Sequence, residues 1–166
     1  MDAIIQSFIT FFQDKLPAEV TIFLISLMPV LELRGGLIAA KLLNVSLLPA
    51  FGICFLGNIL PIPFILLFIR KLFALMKNTK TFKPLIEKLE KHSAKNSEKV
   101  NKYGAWGLLL LVAIPLPGTG GWTGALVSAL MELPIRKSFP IIAVGVLIAG
   151  IIVASLSYGL LGALGV

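Results

Sequence analysis

Residues 20–43 read VTIFLISLMPVLELRGGLIAAKLL, an apolar run interrupted at its centre by Pro29, Glu32, Arg34, Gly35 and Gly36. Roughly 20 apolar residues cross about 30 Å of hydrocarbon as a helix, so length alone predicts a span. The interruption argues otherwise. A charge at the bilayer centre costs on the order of 3 kcal/mol on insertion scales, and a chain carries two such groups there when they have partners or a task. On a regular helix, positions two apart point about 200° away from each other and do not pair. Gly35-Gly36 therefore predicts a break at which Glu32 and Arg34 turn toward one cavity. There Glu32 is expected to take up and release a proton, and Arg34 to hold an anionic group such as a phosphate. A static salt bridge, or a solvated turn near the interface, is the plainer alternative.

The same plan returns in the second half. Residues 105–131 are apolar but broken by PLPGTGG, and no regular helix continues through Pro115, Pro117, Gly118, Gly120 and Gly121. Broken helices leave ends inside the membrane, and an N-terminal end with free N–H groups attracts anions. Thr119 adds a hydroxyl, and Trp122 is placed to stack on a substrate or anchor at the interface. The alternative is a packing break where glycines let helices approach. Each broken stretch precedes a strongly apolar segment: 47–69, with kinks expected at Pro61 and Pro63, and 138–161. Paired Gly/Pro interruptions at corresponding positions point to a transporter site built from repeats.

Composition supports a lipid environment. Of 166 residues, 57% are hydrophobic and 14% charged, whereas soluble chains carry roughly 25% charged residues. The net charge of +7 is concentrated between Arg70 and Lys102, where ten Lys or Arg face Glu87, Glu90 and Glu98. By the positive-inside rule this loop, 70–102, is cytoplasmic. A nucleic-acid partner is not expected, because aromatic interleaving and a recognition fold are missing. No cleavable leader is read at Met1-Asp2. Residues 2–16 place Asp2, Gln6, Thr10 and Gln13 on one stripe opposite Ile4, Ile5, Phe8 and Phe12, an amphipathic helix for the membrane interface that Pro17 ends. From Pro84 a short surface helix is expected against anionic headgroups.

Other polar residues receive plainer roles. Lys41 snorkels, Glu132 pairs with Arg136 at the interface, His92 is solvated among lysines, and the single Cys54 packs. Enzyme signatures fail: no nucleophile elbow, phosphate-loop lysine or His–carboxylate cluster occurs, so neither metal nor cofactor is expected.

At PVLELRGGL (29–37) and IPLPGTGGWTGAL (114–126) the chain resembles the "putative small multidrug export protein" family of bacteria and archaea, which looks like a distant relative of the DedA/VTT membrane proteins. The resemblance runs from about residue 17 to the C-terminus. It implies two inverted repeats, each a re-entrant hairpin plus a spanning helix, and proton-linked transport; DedA relatives are associated with flipping lipid-linked phosphates. Glu32 matches the family's hairpin carboxylate and Arg34 the arginine of its first motif. DedA proteins carry a further arginine in the second hairpin, where Gly118-Thr119-Gly120-Gly121 has none.

The expected architecture is an all-α integral membrane protein of one domain: an interfacial helix (1–16), a first repeat (17–75), a basic loop (76–102) and a second repeat (103–166). The expected function is a proton-coupled inner-membrane transporter of a small organic or lipid-linked phosphate substrate. The alternative is an uncoupled scramblase or membrane-organising protein. Its small size suggests a homo-oligomer among membrane lipids. Two topologies compete. Re-entrant hairpins put the basic loop and Arg136-Lys137 on one side of the membrane; full crossings by the broken stretches separate them. The first satisfies the charge rule, so a reporter attached at Val166 should lie outside the cell, and a cytoplasmic signal would defeat the double-hairpin topology.

Overall fold

The computed structural model describes residues 2–12, 16–77, 97–116, 118–131 and 133–160. Most of the basic loop, with His92 and the helix expected from Pro84, lies outside the described residues, as do Pro117 and Glu132. The described residues are helical and contain no strand: α1 (Asp2–Phe12), α2 (Ala18–Leu27), α3 (Glu32–Leu42), α4 (Leu47–Ile59), α5 (Ile62–Lys77), α6 (Ser97–Ala113), α7 (Gly121–Leu130) and α8 (Ile135–Ala154), which continues as a wide π-helical turn, Ser155–Leu160.

Local chemistry sets the ends of these helices. Pro17 stands at the N-cap of α2, where a missing N–H removes no helical bond. Pro61 and Pro63 cannot donate into the helix before them, and α4 stops at Ile59 before α5 begins at Ile62. The expected kink is there. Helix α3 ends with Asn44 in the left-handed region (φ 56°). The Val45 N–H reaches back to the Ala40 carbonyl and the Asn44 N–H to Lys41, so two orphan carbonyls are satisfied and apolar Val45 is tucked under the helix end. Helix α7 ends similarly, with the Leu133 N–H on the Ser128 carbonyl and Leu133 buried. The second short helix of each half thus closes in one way and leads into a long apolar helix.

One expectation is corrected. The first break does not fall at Gly35-Gly36 but at residues 28–31, and both glycines lie inside α3. Pro29 is the residue that cannot continue α2. The glycines serve close approach instead: a Cβ at Gly36 would lie 2.8 Å from Cys54 Sγ and 3.2 Å from the Ile22 carbonyl, and would meet the Ser26 hydroxyl. Gly57 does the same for α4, where a Cβ would stand 2.8 Å from the Phe23 carbonyl. Small residues let α2 lie against both α3 and α4, as in membrane helix pairs, where backbone approach replaces hydrophobic drive.

Helix α8 passes through the middle, touching α3, α4, α5, α6 and α7. It presents Ile142, Val146, Ala149 and Gly150 inward and Val144, Leu147 and Ile151 outward. Two continuous stretches, Leu47–Ile69 and Ile135–Gly159, are long and apolar enough to cross a membrane. Only 28% and 39% of their most apolar windows are buried. A soluble core helix would hide most of its surface; these expose Leu56, Phe64, Phe68 and Ile151, an apolar surface suited to lipid. Helix α1 lays Ile5 against the body and leaves Gln6 and Thr10 exposed.

Because Gly36 has no room for a side chain, Gly36→Val should lower the stability of the detergent-solubilised protein by about 1–3 kcal/mol. Gly52, where a Cβ meets open space, is the control: Gly52→Ala should leave the thermal midpoint unchanged or slightly raised. Equal behaviour of the two variants would refute the packing role.

Candidate functional site

Helix α7 begins without a cap of its own. Its N-cap residue is Gly120, at φ 139° and ψ −166°, with no side chain to offer. The first helical bond is Gly124 N–H to the Gly120 carbonyl, so the N–H groups of the preceding residues need partners from elsewhere. Glu32, from the other half of the chain, supplies them. Its Oε2 accepts from the Gly121 N–H and its Oε1 from the Trp122 N–H, both at 3.1 Å. The carboxylate thereby sits at the positive end of α7, and Glu32 is only 4% exposed.

Arg34 grips the loop that leads into this helix end. Its Nη1 donates to the Leu116 carbonyl at 2.6 Å, and its Nη2 to Thr119 Oγ1 at 3.1 Å. The Thr119 hydroxyl lies 2.8 Å from the carbonyls of both Ile114 and Leu116 and accepts from the Leu116 N–H at 3.2 Å. One residue further, the Thr123 hydroxyl donates to the Gly118 carbonyl. The polar backbone freed by the second break is thus partnered by side chains.

How residues two apart serve one site follows from the backbone. Glu32 has φ 52°, the left-handed region that costs a residue with a Cβ about 1–2 kcal/mol. Its side chain therefore leaves α3 in a direction a regular helix would not allow, while Arg34 emerges from the helix proper. Gly120 complements it: a Cβ there would stand 2.7 Å from Glu32 Oε1, so the position needs glycine for both its torsion and its space. Strain on both sides of one contact marks a site whose geometry the surrounding packing enforces.

Glu32, Arg34, Thr119, Gly120, Gly121 and Trp122 thus come together. Gly35 and Gly36 do not, being packing residues of α3. Gly118, at φ 82°, shapes the exposed turn, Pro115 is half-buried beside it, and Pro117 lies outside the described residues. Cys54 is buried against Ser26 and Gly36, as its apolar setting suggested. The Lys41 ammonium stands 6.0 Å from the centre of the Tyr158 ring, and the Tyr158 hydroxyl donates to the Val45 carbonyl at 2.9 Å.

Sequence reasoning passed over Asn58. It is 2% exposed and, with Glu32, Arg34 and Gly120 and with Val112 of α6 and Val146 and Ala149 of α8, lines a narrow gap with no room for a water-sized group. The available signal was its position, the one amide in the apolar stretch 47–69. Beside this narrow gap runs an open apolar groove of about 920 Å³ between α5 and α7, floored by Pro29, Phe64, Phe68 and Trp122.

A buried carboxylate and a half-buried guanidinium locked to a broken helix, among exposed apolar helices, define a membrane protein that is helical throughout its described residues and has a polar interior site. Residues 32–152 match the family described as "Putative small multi-drug export protein", and the chain belongs to that family. The match begins at Glu32, just after the first break, and takes in the second break and most of α8. No curated protein and no solved structure gives a significant match. The family's description points to export across a membrane.

Arg34 and Thr119 share one hydrogen bond and one carbonyl partner, that of Leu116, so their losses should not add. In a double-mutant cycle of Arg34→Ala and Thr119→Val, read by thermal unfolding in detergent, the coupling should be about 0.5–3 kcal/mol. Additive losses would show that the guanidinium does not depend on the hydroxyl.

Proposed function

We propose that this chain is a proton-coupled membrane transporter whose interior site holds an anionic group of a small organic or lipid-linked phosphate substrate. The single observation that carries this reading is the seat of Glu32. A helix N-terminus flanked by a guanidinium is an anion site, and here the chain's own carboxylate fills it. Proton uptake by Glu32 removes the negative charge that matches this seat, and a substrate anion then takes the same N–H groups and Arg34. Return of the substrate to water on the other side lets Glu32 release its proton and sit down again. Membership in a family described by export supports transport, and the resemblance to DedA proteins supports phosphate-bearing lipid as one substrate class.

The proposed topology follows from length. Helices α2, α3 and α7 have 10 or 11 residues, about 15–17 Å each, half of the hydrocarbon thickness. Pairs α2–α3 and α6–α7 are therefore assigned as re-entrant hairpins of two inverted repeats. The loop 70–102 is assigned to the cytoplasmic side of the inner membrane by its charge.

The apolar groove beside Trp122 favours a second reading, an uncoupled scramblase, because an open apolar track lets acyl chains slide without any proton step. Glu32→Gln separates the two in proteoliposomes loaded with a headgroup-labelled phospholipid or an anionic amphipathic dye. Under the first reading, wild type moves the probe faster when a pH gradient is applied, and the variant loses the gradient-dependent part of the rate while keeping its fold. A rate indifferent both to the gradient and to Glu32→Gln would leave the scramblase.

A further inference from the structure

Asn58 carries a polar atom that the described contacts leave without a partner. Its Oδ1 is buried and accepts no hydrogen bond among the described residues, although the residue is 2% exposed. Buried acceptors are nearly always paired, and an unpaired one in a site calls for a reason. Oδ1 lies 3.4 Å from where a Gly121 Cβ would stand, a position that Ile62 and Val146 also approach. The amide also lines the same gap as Glu32. An ionised carboxylate only accepts, so it can use the NH₂ of Asn58 and never its oxygen. A protonated carboxyl has one O–H to give.

We propose that Asn58 is the second seat of Glu32: on gaining a proton, Glu32 leaves the N–H groups of Gly121 and Trp122 and donates its O–H to Asn58 Oδ1. The inference rests on the reading that Glu32 takes up a proton. It adds the group that receives the carboxyl and thereby clears the anion seat. Atoms balance simply: one proton from solvent joins a carboxylate oxygen, two N–H···O bonds open, and one O–H···O bond forms. An amide suits both states, because it presents a donor to the charged form and an acceptor to the neutral one within one side chain. Arg34 is the charged group facing Glu32 from its own helix. The described residues facing it from α4, α6, α7 and α8 (Asn58, Val112, Gly121 and Val146) carry none, so no second titrating group confuses the switch. The freed N–H groups remain beside Arg34, which is the arrangement an incoming anion needs. Asn58 acts here through Glu32 and is a positioning residue.

Infrared difference spectroscopy between high and low pH, on the full chain in lipid nanodiscs, reads the carboxyl directly and needs no transported substrate. The band lost in Glu32→Gln is the C=O stretch of protonated Glu32. In wild type it should have the lowered frequency of a hydrogen-bonded acid. In Asn58→Ala it should move up, toward that of a free acid, while Asn58→Ser, which keeps an acceptor and guards against misfolding of the first variant, should lie between. A Glu32 band at the same frequency in wild type and both variants would overturn the role of Asn58 and leave proton uptake standing. If no band of protonated Glu32 is seen at any pH the protein survives, proton coupling falls, and the switch falls with it.

Discussion

A carboxylate buried against the first turn of α7 is the constraint from which the other features follow. An ion moved out of water into a low-dielectric interior is held there only if it is paired and hydrogen-bonded. Glu32 has two backbone N–H groups, the positive end of a helix and the nearby Arg34. Those partners belong to both halves, so the contact ties the halves together. It also dictates small neighbours. Gly120 must be glycine because a side chain would enter the carboxylate, and at Gly121 a Cβ would press on Ile62 and Val146 at 3.2–3.3 Å. The strained torsion of Glu32 itself is tolerated because the alternative leaves both a charge and a helix end unsatisfied.

The second break shows the same economy from the side of the backbone. Between Ile114 and Gly120 the chain gives up its helical bonds, and the carbonyls released need donors. Thr119 and Arg34 cover those of Ile114 and Leu116, and Thr123 covers that of Gly118. The guanidinium that grips this loop arrives from the first half. The anion seat is thus composite: the N–H groups come from the second half, while the cation and the resident carboxylate come from the first.

Much of this was legible in the sequence, and the limits were physical. Charges flanked by Gly and Pro in the midst of an apolar run announced a broken helix, and PLPGTGG announced its counterpart. That Glu32 and Arg34 would turn toward one place was expected from the need for a break, and both side chains reach the loop and helix end of the second break. The location of the first break was not foreseen, because Gly serves both turning and close packing, and only the third dimension shows that Gly36 faces Ser26 and Cys54. The true break lies before Glu32, where Pro29 ends α2. The meeting of the two motifs could not be read from spacing, since they are separated by some 80 residues and joined only by the fold. Asn58 escaped notice for a related reason. A lone amide in an apolar helix has no meaning until its neighbour proves to be a carboxylate.

In the proposed cycle the exclusiveness of the seat supplies the coupling. Two anions held 4 Å apart repel by about 4 kcal/mol at an effective dielectric of 20, which disfavours joint occupancy by about a thousandfold. One guanidinium and one helix end relieve the charge of a single anion, not of two. Ionised Glu32 and a substrate anion are therefore rivals, and the proton decides between them by removing the charge of one. The charge in the seat then stays nearly constant throughout: glutamate in one state, substrate anion with neutral glutamate in the other. A site in low dielectric tolerates a constant charge far better than a changing one. That is why a proton, rather than a bulky counter-ion for which the narrow gap has no room, fits the geometry around Glu32.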